Sequence, residues 1–217
     1  MKNQPYTSKE TMDKSEKFWD KSANGYDKEE MKDKAGRMKI LDSTKKYLQK
    51  KDDVLDFGCA TGILANEIAR DVHTVHGMDI SSEMVRIAQN KANELNLKNV
   101  KYTHGTLFDD CYKPGTFDTI LAVYMLHLME DMPKVLNRIH SLLKPGGLFI
   151  SVTPCLGRKT FVGIALSLVS KIGLIPNLKT YNVNEVEDAI VNAGFSLVES
   201  ECLNKAGKQY FIVGKKD

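Results

Sequence analysis

Two acidic residues carry the first chemical signal, each on an apolar run that breaks into small residues. Asp56 lies in VLDF, which leads into Gly58-Cys59-Ala60-Thr61-Gly62; Asp79 ends TVHGMD and leads into Ile80-Ser81. A glycine-rich turn after a strand lets the backbone approach a nucleotide closely. A phosphate loop needs Gly-x-x-x-x-Gly-Lys-Ser/Thr, yet Gly62 is followed by Ile63 and Leu64, with no lysine. A dinucleotide turn needs Gly-x-Gly-x-x-Gly, so that the chain can press against a pyrophosphate. Here Ala60 stands at the middle glycine, no glycine stands at 63, and the Asp56 carboxylate would repel a pyrophosphate.

S-adenosylmethionine suits these residues better. It carries an ammonium, a sulfonium and a carboxylate but no phosphate, so Asp56 has the sign to attract its cationic end. Gly58, Cys59, Ala60 and Gly62 let the backbone approach the amino acid and ribose, and a helix over 62–70 points its N-terminus at the carboxylate. An acid at the end of the second strand, Asp79, accepts both ribose hydroxyls. The alternative is that Asp79 and Ser81 only cap the following helix; two acids on successive strands favour the cofactor. An NAD-dependent oxidoreductase and a non-catalytic cofactor-binding protein of the same fold remain as alternatives.

The elements that must position these residues follow from periodicity. Strands are expected at 53–57, 72–78, 100–104, 117–123 and 147–153. Helix 81–96 aligns Met84, Ala88, Ala92 and Leu95, and helix 131–143 carries a 3.6-residue stripe of Met132, Val135, Leu136, Ile139, Leu142 and Leu143. Such alternation predicts an α/β protein with a parallel sheet covered on both faces. Helix 183–193, opened by Asn182 with Glu185 three residues on and closed by Gly194, precedes strands 195–203 and 209–213. Their short NKAG link predicts a terminal antiparallel hairpin. Residues 9–34, with Phe18, Trp19 and Tyr26, read as one or two helices outside the main core, so an N-terminal helical cap is assigned to 1–35 and the binding domain to 36–217.

Composition narrows the function classes. The 217 residues are 42% apolar and 27% charged with a net charge of +3, the balance of a globular domain without the basic excess of a nucleic-acid binder. Cys59, Cys111, Cys155 and Cys202 lack metal-ligand spacing, so no metal is expected and reduced thiols in a cytoplasmic protein are the simplest reading. The polar N-terminus does not read as a signal peptide. The most apolar stretch, 161–178, is interrupted by Lys171, Gly173 and Pro176 and is too short to span a bilayer.

VLDFGCATG, GMDISSEM, FDTILAVYMLHLMED and LLKPGGLFI, in this order and spacing, resemble the motifs of class I S-adenosylmethionine-dependent methyltransferases. The likeness is to the small-molecule type that includes the ubiquinone and menaquinone biosynthesis enzymes, over about residues 15 to 214. The resemblance implies a Rossmann-like, doubly wound seven-stranded sheet of order 3-2-1-4-5-7-6, with the terminal hairpin antiparallel. It adds Ile80, Met84 and Ala122 to the cofactor contacts. After strand three it implies an acid on the adenine amino group; here Thr106 accepts that bond more weakly, and the Leu107 N–H serves a ring nitrogen.

The same resemblance implies methyl transfer by in-line displacement, with orientation of the acceptor as the protein's main task. His127, after strand four, is placed as a general base or as a pocket-shaping residue. Tyr124 lines the same pocket, and Tyr26 folds over the cofactor or packs its own helix. His73, His76 and His104 read as structural. No Asn/Asp-Pro-Pro-Tyr follows strand four, which disfavours amide and exocyclic-amine acceptors. Residues 156–180 are an insertion that the resemblance makes a substrate lid, with core helix and shallow membrane contact as alternatives. The partner is then a small, apolar or aromatic molecule, and the chain a monomer or homodimer.

Overall fold

The computed structural model describes residues 9–157 and 178–217. Seven strands form one sheet: β1 (Asp53–Phe57), β2 (Thr74–Asp79), β3 (Val100–His104), β4 (Phe117–Val123), β5 (Leu143–Pro154), β6 (Phe195–Asn204) and β7 (Gln209–Lys216). Their order is β3-β2-β1-β4-β5-β7-β6, parallel except where β7 runs against β5 and β6. The helices are α1 (Lys9–Glu30), α2 (Lys34–Lys45), α3 (Ile63–Ile68), α4 (Ser82–Glu94), α5 (Met132–Leu142) and α6 (Val183–Asn192). The chain winds outward from β1 through β2 to β3, then crosses to β4 on the other side of β1. That reversal opens a crevice beyond the carboxyl ends of β1 and β4.

Local chemistry explains the boundaries. Ser81 Oγ accepts from the Met84 amide at 3.1 Å and starts α4; Asp131 Oδ1 accepts from the Lys134 amide at 3.0 Å and starts α5. At α6 the Asn182 amide donates to Glu185 Oε2 at 2.7 Å, and Gly194 ends the helix at φ +92°. Val135, Leu136, Ile139 and Leu142 of α5 are completely buried, and each such side chain stabilises by about 1.5–3 kcal/mol.

One boundary differs from the periodicity. The Lys144–Gly147 turn does not separate helix from strand; β5 begins at Leu143, which pairs with Phe117 before the ladder resumes at Thr119 and Leu148. The extra residues form a bulge in which Gly146 takes φ +76°, a conformation costly for other residues.

α1 runs 22 residues as a single helix and lies across α4. Asp20 Oδ1 accepts from Ser81 Oγ at 2.6 Å and from the Glu83 amide at 3.1 Å, and Glu16 pairs with His104 at 3.0 Å. Asp27 accepts from Thr61 Oγ1 at 2.5 Å and pairs with Lys91. These contacts hold α1 over the carboxyl ends of the central strands. Of the segment 156–180, residues 158–177 lie outside the described residues.

Candidate active site

The site is built on the turn after β1. Gly58 and Gly62 adopt φ +76° and +75°, and a Cβ on Gly58 would stand 2.0 Å from Met125 Sδ. Ala60 is also left-handed, at φ +46°, a strain of about 1 kcal/mol for a residue with a Cβ. The turn holds it there: the Ala60 amide donates to Asp79 Oδ2 at 3.0 Å, and the Ser81 amide to Asp79 Oδ1 at 2.9 Å. Asp79 therefore ties the ends of β1 and β2 together, and Ser81 caps α4. The capping reading describes contacts present here, and it leaves the cofactor reading open, because each Asp79 oxygen retains a further lone pair and Asp79 lines a cavity.

Two lobes of about 280 and 320 Å³ adjoin at this turn. Their shared wall is Tyr26, Glu30, Gly58, Ala60, Val123 and Tyr124. The first lobe holds the charged groups Asp56, Arg37 and Glu67 among apolar side chains such as Ile40, Leu41 and Leu64. The second begins at Asp79, Ile80 and Met84 and ends in an apolar chamber of Trp19, Met125, His127, Leu128, Met129 and Leu178.

Asp56 is the most informative single group. It is 3% exposed, and its Oδ2 has no hydrogen-bond partner among the described residues. Burial, and secondarily the Asp79 charge, push its carboxyl up to about 7. A buried carboxylate without a partner is costly unless a cation completes it. Arg37, whose Nε is likewise buried and unpartnered, offers a complement for a carboxylate on the same ligand. An amino-acid zwitterion satisfies both, and Asp79 remains for a ribose, so the residues present fit S-adenosylmethionine.

The other expected residues separate into three groups. Cys59 is buried under the turn, and burial pushes its thiol well up, which leaves it an inert small residue. Gly62 caps α3 and lies outside both lobes. Thr106, Leu107 and Ala122 also line neither lobe. The Thr106 hydroxyl and amide both donate to Asp109, at 2.8 and 3.0 Å, and the hydroxyl accepts from the Phe108 amide at 3.3 Å, which closes a local turn and leaves one acceptor lone pair. Leu107 is packed into the core at 1% exposure. Ala122 is one residue out of phase: strand alternation turns it to the core and presents Val123 to both lobes.

Tyr26 hydrogen-bonds Glu30, and burial raises its hydroxyl far above the usual phenol range. Tyr124 takes a left-handed φ of +57°, and burial pushes its hydroxyl up to about 12. Burial lowers the His127 imidazole to about 4, so it is neutral at pH 7; its Nδ1 has no partner among the described residues. His73 bonds Asp53 at 2.8 Å, His76 lies edge-on to Phe117, and His104 contacts the Ile80 carbonyl at 2.9 Å, all away from the shared wall.

Sequence reasoning missed Glu30 and Arg37. The available signal was spacing: Glu30 is four residues after Tyr26 on α1, so the two share a helix face. Nothing local marks Arg37, because α2 reaches the cleft only through the tertiary fold.

The comparisons agree with this geometry. A ubiquinone biosynthesis O-methyltransferase of Albidiferax ferrireducens is 29% identical over 158 residues, covering 72% of this chain and 63% of that protein. A demethylmenaquinone methyltransferase of Listeria welshimeri is 33% identical over 104 residues, 46% of this chain and 44% of that protein. The chain thus spans less than two thirds of the length of these relatives. Among solved structures, an S-adenosylmethionine-dependent methyltransferase from Aquifex aeolicus superposes with a TM-score of 0.67 at 20% identity, covering 88% of this chain and 98% of that one, a likeness of fold. The family model described as a methyltransferase domain matches residues 48–207, from the entry to β1 to the link between β6 and β7, and the chain belongs to that family.

Proposed function

We propose that this protein transfers a methyl group from S-adenosylmethionine to a small, apolar or aromatic acceptor. The observation that carries the reading is Asp56, a buried carboxylate with a free oxygen, beside Asp79 at the switch point of the sheet. Asp79, Ile80 and Met84 would hold the adenosine end; Asp56 and Arg37 would hold the amino-acid end. The bound cofactor supplies a methyl group on a cationic sulfur, already poised to leave.

The chain's own residues then orient the acceptor and exclude water. Trp19, Met125, Leu128, Met129 and Leu178 form an apolar wall against which a flat or greasy acceptor gains by burial. The relatives named for ubiquinone and menaquinone biosynthesis support an acceptor of that character. His127 is the polar group on that side, and as a neutral imidazole it can accept a hydrogen bond from an acceptor hydroxyl. Its low pKa makes it a weak base, so positioning is its main role. Tyr26 and Tyr124 close the shared wall around the transferring methyl.

No helix among the described residues is long and apolar enough to cross a membrane. The four cysteines are all unpaired, which supports a reducing, cytoplasmic location. Titration calorimetry with S-adenosylhomocysteine tests the reading. Micromolar binding that Asp79→Ala abolishes is expected; no binding by the intact protein, or an Asp79→Ala variant that binds like wild type, sinks it.

A further inference from the structure

The charge of the cleft is at odds with that of the chain. The protein carries a net +3, yet among the described residues the two lobes present six carboxylates, Glu29, Glu30, Asp33, Asp56, Glu67 and Asp79, against the one guanidinium of Arg37. S-adenosylmethionine has a net charge of +1 and its product, S-adenosylhomocysteine, none. The difference resides wholly on the sulfur, which becomes a neutral thioether when the methyl leaves. A carboxylate that meets the ammonium or the ribose meets the same groups in cofactor and product, so neither Asp56 nor Asp79 separates the two. A carboxylate near the sulfur does.

Among the described residues, Glu30 is the only charged side chain in the wall shared by the two lobes, where a ligand lying from Asp79 to Asp56 would place its middle. We infer that Glu30 makes this site prefer the sulfonium cofactor over its neutral product. The inference rests on the reading of the cleft as an S-adenosylmethionine site. Glu30 ends α1, which is latched to the domain through Asp20 and Asp27, so its carboxylate has a fixed place. Tyr26 donates to it.

The charged and titratable groups facing Glu30 are Tyr26 and Asp27 on α1, Asp33 in the following turn, Arg37 on α2 and Tyr124 after β4. Arg37 offsets part of the charge and the two aspartates restore it. Burial raises the Glu30 carboxyl, and an adjacent cation draws it back to the ionised form. In a half-buried cleft, a unit charge beside a carboxylate is worth about tenfold in affinity after such screening. The consequence is a site that binds its reactant and releases its product without help from an acceptor.

The test is calorimetry at pH 8 and low salt with S-adenosylmethionine, S-adenosylhomocysteine and sinefungin, an unreactive analogue with an ammonium near the sulfur position. Wild type is expected to bind the two cationic ligands about tenfold more tightly than the product. Glu30→Gln brings that ratio to about one while product affinity changes less than about threefold, and Glu30→Asp, which keeps the charge, retains a preference. Equal affinities in wild type, a ratio that survives Glu30→Gln, or an equal loss for all three ligands overturns the inference. Failure of wild type to bind any of the three removes the cofactor reading itself.

Discussion

The two lobes on either side of Gly58 and Ala60 are close in size and differ in charge. One is lined by carboxylates and Arg37 set among aliphatic side chains, with Asp56 and Arg37 atoms that lack partners among the described residues; the other is lined by methionines, leucines and Trp19, with Asp79 at its start and His127 held neutral. Unpartnered charge is a stored cost that a ligand relieves, so the charged lobe dictates its ligand closely. An apolar wall gains from burial without direction, so it selects for size and greasiness and tolerates variation. Affinity for the cofactor and choice of acceptor should therefore respond to different substitutions.

The largest effect expected is at the acid that opens the second lobe. Asp79→Ala removes the ribose partner and releases the Ala60 and Ser81 amides; cofactor-product affinity should fall about 100-fold by calorimetry. A loss below about threefold would erase the separation of cofactor affinity from acceptor choice. Gly58→Ala strikes the shared wall, because its Cβ would overlap Met125 at a φ of +76°. It should cost about 2 kcal/mol of stability, read as a melting temperature lower by several degrees.

Asp56→Asn separates binding from stability. Its carboxyl sits near 7 in the folded, ligand-free protein against 3.8 in the unfolded chain, so the folded state holds the extra proton between those values. Stability is lost as pH rises through that window and the loss is complete above it. Asp56→Asn should raise the ligand-free melting temperature by a few degrees at pH 8 and by nothing at pH 3.5. Cofactor affinity should climb from pH 6 to 8 in wild type, as the ammonium partner ionises, and stay flat in the variant. An unchanged melting temperature at pH 8 would count against the buried, unpartnered carboxylate.

The smallest effect is on the apolar side. His127→Ala should raise the acceptor KM a few-fold and change kcat less than about tenfold, with no break in the pH–kcat profile near 6.5 and cofactor binding intact. A kcat loss above about 100-fold would restore His127 as the base and make the second lobe catalytic.

Much of this was readable because it is encoded locally. Apolar periodicity marked every strand of the sheet, Ser81 and Asn182 marked helix starts, and the sign of Asp56 favoured a cationic nucleotide over a pyrophosphate. The local pattern is less informative where neighbours overrule it. Lys144–Gly147 has turn chemistry, but pairing of Leu143 with Phe117 draws it into β5 as a bulge. Thr106 has a hydroxyl where an acceptor was wanted, but a local turn with Phe108 and Asp109 fixes its proton and one of its lone pairs. Ala122 and Val123 differ by one step of strand alternation, which only the packing of β4 against its helices resolves.

By itself, then, the sequence determined the fold class, the glycine turn and the two acids that end β1 and β2, since each follows from residue type and short spacing. Tertiary structure decided which groups face one another. Glu30 arrives on α1, Arg37 on α2 and His127 after β4, brought together at the crevice that the strand order opens. Burial then decided their charge states: it holds His127 neutral and leaves Asp56 awaiting a cation, a property set by surroundings and written in no single stretch of residues.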